Sequence, residues 1–152
     1  MKLEPLMNYH ANLLPPLEVG KGPFGNRVIV EVDGGEFEGP RLKGTIRKAA
    51  CADWLMFDDD GNGHLDVRAT FETHDGAYIY VQYFGHIIVT PAFQAALAGE
   101  GETDYGEVHF FTSPRMETGD ERYKWVNTVV AVAEGRVRNG RVEYQVYQAV
   151  ND

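Results

Sequence analysis

"DWLMFDDDGNGHLDVRATFET", Asp53 to Thr73, is the stretch on which the fold turns. Its centre imitates the front of a calcium loop. Asp58, Asp60 and Asn62 fall at alternate positions, Gly63 takes the place of the sharp-turn glycine, and Asp66 follows three places later. A working EF-hand loop also needs a bidentate Glu at its twelfth position and a helix on either side. Counted from Asp58, the twelfth position is Ala69, and both flanks alternate as strands do. The stretch therefore reads as two strands joined by a hairpin tip. Asp60-Gly61 and Asn62-Gly63 supply the residues that tolerate positive φ.

The rest of the chain follows this pattern. Seventeen glycines punctuate runs rich in Val, Ile, Tyr, Phe and Thr. "RVIVEV" (Arg27–Val32) ends at Asp33-Gly34-Gly35, which reads as a tight turn, and "RLKGTIR" (Arg41–Arg47) follows. "AYIYVQYFGHIIV", "VHFFT", "RYKWVNTVVAVAEG" and "RVEYQVYQAV" continue the series. The spacing predicts about eight or nine strands in an all-β, closed or nearly closed antiparallel barrel. One short helix is expected over Pro91 to Ala98, with Pro91 at its first position and Gly99 or Gly101 as the stop. It would cap one end of the barrel or link two strands.

Bulk properties narrow the function. At 152 residues the chain is expected to form one domain. A domain of this size buries about 68–70% of the surface its unfolded chain exposes, enough for a real core. The net charge of -9 repels phosphate backbones and anionic lipid, so neither nucleic acid nor membrane is an expected partner. The one cysteine, Cys51, cannot form an internal disulfide and reads as a small buried residue. With no apolar run of signal-peptide length at the N-terminus, the expected location is cytoplasmic. No glycine loop has phosphate-binding spacing and there is no nucleophile elbow. The five histidines lack zinc-type spacing, so no metal and no cofactor is expected.

"LDVRATFE" poses the sharper question. Leu65, Val67, Ala69 and Phe71 share one face, and Asp66, Arg68, Thr70 and Glu72 the other. The commoner arrangement leaves the polar face in water. The alternative turns the sheet around, so that the polar face lines a lumen able to hold one small ligand. The apolar face would then need cover from the helix, the N-terminal segment or a second subunit, which makes homo-oligomerisation an expectation. Two features favour the alternative. Tyr78, Tyr80 and Gln82 share a face of one strand, and Tyr123, Trp125 and Asn127 share a face of another, offering apolar walls with polar tips. Asp53-Trp54 opens a strand after a run of small residues. There Asp53 is either a turn cap or a half-desolvated carboxylate with a raised pKa.

The blocks "GGEFEGPRLKG", "ADW", "LDVRATFETHDGAYIYVQYFG", "TSPRMETGDERYKWVN" and "VAVAEG" resemble the bacterial family catalogued as domain of unknown function 3237. The resemblance runs in order from about Gly20 to the C-terminus. It implies a compact antiparallel β-barrel of calycin-like appearance and implies little about chemistry. Two departures stand out. "AACADW" replaces "GGADW", and Phe111 stands where an Arg is expected. If that Arg serves an anionic substrate in relatives, Phe111 points to a more apolar or aromatic one.

These residues suggest a site built from Asp53, Asp66, Arg68 and Asp75 as catalytic groups. Trp54, Tyr78, Tyr80, Phe111, Trp125 and Asn127 would bind a small aromatic or polyketide-like substrate. A carboxylate in an apolar lumen can take a proton beside a carbonyl, while Arg, Tyr or Asn holds the developing oxyanion. That chemistry belongs to a cofactor-independent isomerase, epimerase, cyclase or lyase. The competing reading is a non-catalytic protein that carries a small apolar ligand in the same lumen.

Overall fold

The computed structural model describes residues 1–152. Alternation of apolar and polar residues gives nearly every segment one apolar face, and the resulting sheet closes around that face. Its strands are β1 (Lys2–Leu13), β2 (Leu17–Gly22), β3 (Gly25–Glu38), β4 (Lys43–Ile46) and β5 (Ala52–Phe57). They continue with β6 (Asn62–Thr73), β7 (Tyr78–Ile88), β8 (Phe110–Glu117), β9 (Ala131–Arg138) and β10 (Arg141–Val150). All the pairings are antiparallel, and β1 closes the sheet by pairing with both β10 and β3. β1 and β2 lie end to end along β3, separated by a break that contains Pro15 and Pro16. β4 and β5 share the space between β3 and β6 in the same way. The ten strands thus form a closed barrel of eight staves.

The expected hairpin is present. β5 and β6 flank the acidic tip, whose own backbone uses Asp58: its Oδ1 accepts the amides of Asp60 (3.0 Å) and Asn62 (2.9 Å). The helix α1 (Pro91–Leu97) also falls where expected. Thr90 Oγ1 caps it by accepting the Phe93 amide, and Phe93 and Ala96 are buried, so α1 covers part of one barrel end.

Three elements differ from the sequence reading. The N-terminal segment is the barrel strand β1, with Met7, Tyr9 and Ala11 buried at alternate positions. Asp33-Gly34-Gly35 is not a turn, because β3 runs straight through it. Pairing jumps from Ala11 opposite Gly35 to Leu13 opposite Val32, which makes a bulge. A Cβ on Gly35 would lie 2.0 Å from the His10 carbonyl oxygen, so only glycine lets β1 approach there. The bulge is also where β3 changes neighbours, from β2 and β5 to β1 and β4. Finally, Glu121–Thr128 forms a 3-10 helix rather than a strand. Asp120 caps it, and its buried residues Tyr123 and Val126 are three apart, the period of that helix.

The fourth correction bears on function. Leu65, Val67, Ala69 and Phe71 point into the barrel, at 1–5% exposure, and Asp66, Arg68, Thr70 and Glu72 lie on the outer face. The interior is a cluster of 32 buried side chains, nearly all apolar. A row of charges there would lose its hydration without enough partners to replace it. The apolar face of β6 therefore needs no second subunit to cover it. The apolar side chains left outside are others, among them Phe84, Phe111 and Val132 on β7, β8 and β9. Neither helix is long and apolar enough to cross a membrane.

Candidate functional site

The α1 end of the barrel is not filled. A cavity of about 470 Å³ remains there, within the range that holds a small molecule. Phe93 and Leu97 of α1 form one side of its rim, and Leu14, Pro15 and Pro16 form the other. Its walls are mostly apolar, including Val28, Val30, Leu55, Leu65 and Val67. Set into these walls are the carboxyl of Asp53 and the phenol rings of Tyr83 and Tyr144.

Asp53 reaches the lumen because Asp53, Leu55 and Phe57 occupy the inward positions of β5, while Trp54 and Met56 point out. Its Oδ1 accepts the backbone amide of Asp66 at 3.0 Å. Burial pushes the Asp53 carboxyl up to about 7. The Asp66 amide and the Arg27 charge pull against that rise, and the Asp66 charge adds to it. Asp53 therefore changes protonation near neutral pH, where a general acid or base is most effective.

The tyrosines behave differently. Tyr9, Tyr83 and Tyr144 form an aromatic cluster, with Tyr9 and Tyr144 stacked at 4.7 Å and Tyr83 and Tyr144 edge-on at 5.7 Å. Burial raises all three phenols above their ordinary range, and the Asp53 charge pushes Tyr144 further. They stay protonated as hydrogen-bond donors while Asp53 titrates. The Tyr9 hydroxyl is buried with no partner.

Of the residues singled out from the sequence, the structure brings Asp53 alone into the lumen. Asp66 contributes its backbone amide to Asp53, and its side chain lies on the outer face. Arg68 and Trp54 are outside too, with the guanidinium 5.3 Å from the ring centre. Asp75 sits in the β6–β7 turn at the opposite end. There Thr73 and Tyr123 donate to its Oδ1 at 2.7 and 2.8 Å, and these bonds hold its pKa low. Tyr78, Tyr80 and Phe111 are exposed on the outer face. Trp125 lies under the Arg41 guanidinium at 3.7 Å. Asn127 links its amide group to the backbone of Thr118. The physical reason is common to most of these. They occupy the polar register of their strands, and the lumen takes the apolar register.

That register holds the groups the sequence reading missed. Tyr83 stands between Val81 and Gly85, Tyr144 between Val142 and Val146, and Tyr9 between Met7 and Ala11. A tyrosine in line with buried aliphatic positions was the available signal. A second hollow, of about 740 Å³, is lined from β1, β3, β4, β6, β9 and β10, but it is open and charged. Its Arg136 and Arg141 are already paired with Glu143.

This architecture defines a class: a small closed antiparallel barrel with a mostly apolar interior cavity and a carboxyl, Asp53, set into its wall away from the exposed Glu18. Within that class, the chain belongs to the family described as protein of unknown function (DUF3237), which it matches over residues 1–149. It is 31% identical over 134 residues to the UPF0311 protein RPA1785 of Rhodopseudomonas palustris, covering 88% of this chain and 84% of that one. It is 32% identical over 132 residues to the UPF0311 protein blr7842 of Bradyrhizobium diazoefficiens, covering 86% and 85%. Among solved structures, a beta-barrel like protein of Acinetobacter baumannii is 33% identical and superposes with a TM-score of 0.80, covering 97% of this chain and 94% of that one. A structure described as an enzyme from Penicillium herquei shares the fold at 20% identity, with a TM-score of 0.69 and coverage of 97% and 92%.

Proposed function

We propose that the protein catalyses proton transfer on a small, largely apolar substrate held in the barrel lumen, in an isomerisation, cyclisation or elimination that its own side chains perform. The observation that carries this reading is Asp53, a half-buried carboxyl in a mostly apolar cavity, poised at about 7. In its ionised form it takes a proton from carbon or oxygen beside a carbonyl, and in its protonated form it returns one. The protonated phenols of Tyr83 and Tyr144 are the donors available to a developing oxyanion. Aromatic walls and an apolar lining suit a flat aromatic or polyketide-like ketone or alcohol. The same barrel carries a protein described as an enzyme in Penicillium herquei, so the fold is compatible with catalysis.

The mostly apolar lining also suits a carrier that binds such a molecule unchanged. The test separates the two. A panel of aromatic and polyketide-like ketones and alcohols is screened for binding and for turnover without added cofactor. Asp53→Asn should keep binding and lose turnover by about 10²-fold or more, the scale of a removed acid or base. Full activity in that variant would refute the assignment, and tight binding with no turnover in the wild type would establish the carrier.

A further inference from the structure

The acidic tip of the β5–β6 hairpin also holds a histidine in place. Asp58 Oδ1 accepts the amides of Asp60 and Asn62, which fixes the carboxyl. Its other oxygen, Oδ2, lies 2.8 Å from His64 Nε2. A carboxylate can only accept, so the His64 proton sits on Nε2, and Nδ1 of the neutral ring is left with a bare lone pair. That atom faces Nδ1 of His86 at 3.1 Å, whose N–H donates to it. His64 and His86 are directly opposite in the β6–β7 ladder, on the outer face of the barrel. They stand 22 residues apart in the chain. Only the strand register brings them together, so spacing along the chain does not reveal the pair.

The distance between the rings decides what else they can hold. Two imidazole nitrogens at about 2.0–2.1 Å from one zinc ion stand about 2.9 Å apart at a right angle and about 3.3 Å apart at the tetrahedral angle. The 3.1 Å between the two Nδ1 atoms falls within that range. An ion would sit off the line joining them, so each ring has to turn a little to meet it. Both have room to do so: the His64 side chain is 44% exposed, and His86 is exposed with its Nε2 free of bonds within the protein. A carboxylate bonded to the far nitrogen is the arrangement that orients a metal-binding imidazole and raises its basicity. Imidazole suits zinc, copper and nickel, whereas calcium takes oxygen ligands. The neighbours across the ladders supply no third ligand. Met56, beside His64, turns its sulfur to Gly25, and Phe111, beside His86, is apolar.

We propose that His64 and His86 form a two-nitrogen site for a divalent transition-metal ion of the zinc class, with Asp58 as its positioning residue. The ion bonds to the two Nδ1 lone pairs, and the His86 Nδ1 proton leaves to water. The remaining coordination positions face solvent and take water or an oxygen ligand from solution, so the ion is exchangeable. The site lies on the outside of the wall and is independent of the chemistry proposed for the lumen.

The test titrates the whole chain, freed of metal with a chelator, with zinc chloride at pH 7.5. Calorimetry counts the ions bound, and NMR of ¹⁵N-histidine protein reports which ring nitrogens bind them. One equivalent should bind, and the Nδ1 signals of His64 and His86 should shift together while those of His10, His74 and His109 stay in place. His86→Ala should lose that equivalent, and His86→Gln repeats the measurement should the Ala variant not fold. Asp58→Asn keeps one oxygen for the tip amides and loses the charge behind His64, so affinity should fall by about 10–100-fold. His109→Ala should bind as the wild type does. No heat and no shift with millimolar zinc would overturn the site. So would an equivalent that survives the double substitution of His64 and His86 by Ala, which would mark an adventitious ion only. Calcium moving the same Nδ1 signals would overturn it too, by placing the ion on the acidic tip.

Discussion

Replacing Asp53 with Asn should make the protein more stable at alkaline pH, the reverse of the usual effect of deleting a buried polar contact. The folded state holds the Asp53 proton up to about 7, against an ordinary value of 3.8. Between those values the folded chain binds more protons than the unfolded chain, so stability falls as pH rises through the interval. The contribution is whole below about pH 4 and gone above about pH 7. The full shift corresponds to about 4 kcal/mol at 1.36 kcal/mol per unit, an upper figure because water entering the cavity mouth eases the burial of the charge. Asn keeps an oxygen for the Asp66 amide and carries no charge at any pH. The two proteins should therefore differ least at the acid end, with about a quarter of the full effect present at pH 4.5, and the variant should gain about 1–4 kcal/mol at pH 9. Urea unfolding followed by tryptophan fluorescence at pH 4.5, 6, 7.5 and 9 measures the difference. Carboxylates held low elsewhere, such as Asp104 and Glu143, titrate in both proteins and cancel. A difference that does not change with pH would refute the buried, neutral-range carboxyl. So would a variant that is weakest at pH 9.

Gly135→Ala should destabilise by about 1–3 kcal/mol, the cost of overpacking, because its Cβ would lie 2.8 Å from the Phe110 ring; a melt equal to wild type would contradict this packing. Asp75→Asn should flatten the acid limb of the stability profile. The folded Asp75 pKa is depressed by Thr73 and Tyr123, so its contribution is present above the ordinary carboxylate range and lost as pH falls; an unchanged acid midpoint would count against it. Millimolar calcium should raise the melting temperature only slightly, by screening the charge of -9. The Asp58 Oδ1 serves its own loop, and a rise of many degrees would show a specific site.

The fold was legible where one face of a segment had to be buried. The β5–β6 hairpin, most strands and α1 follow from alternation and turn residues, which are local signals. The failures are places where a tertiary contact overrides a local one. Asp33-Gly34-Gly35 has turn chemistry, yet its glycines serve the close approach of β1 and the exchange of neighbours along β3. "YKWVN" alternates like a strand, but Asp120 caps a helix there and the buried pair Tyr123 and Val126 sets a period of three. β1 gives a weak local signal because its alternation, Met7, Tyr9 and Ala11 against Asn8, His10 and Asn12, begins only after Pro5.

The site was less legible, because alternation identifies two faces and does not say which is inside. Volume and hydration decide that. A closed barrel of eight staves has little interior, and desolvating Asp66, Arg68 and Glu72 together would cost more than burying Leu65, Val67 and Phe71 gains. Once the apolar register is inside, a polar residue within that register becomes the informative one. Asp53 satisfies this condition, and so do Tyr9, Tyr83 and Tyr144. A charge in the polar register is solvated and inexpensive. A carboxyl in the apolar register must be held by something, and here the Asp66 amide of the neighbouring strand β6 turns to Asp53 Oδ1 to hold it. A fold under selection for stability alone would place a hydrophobic side chain at position 53. A carboxyl kept at position 53 at that cost is what the proposed proton transfer would require.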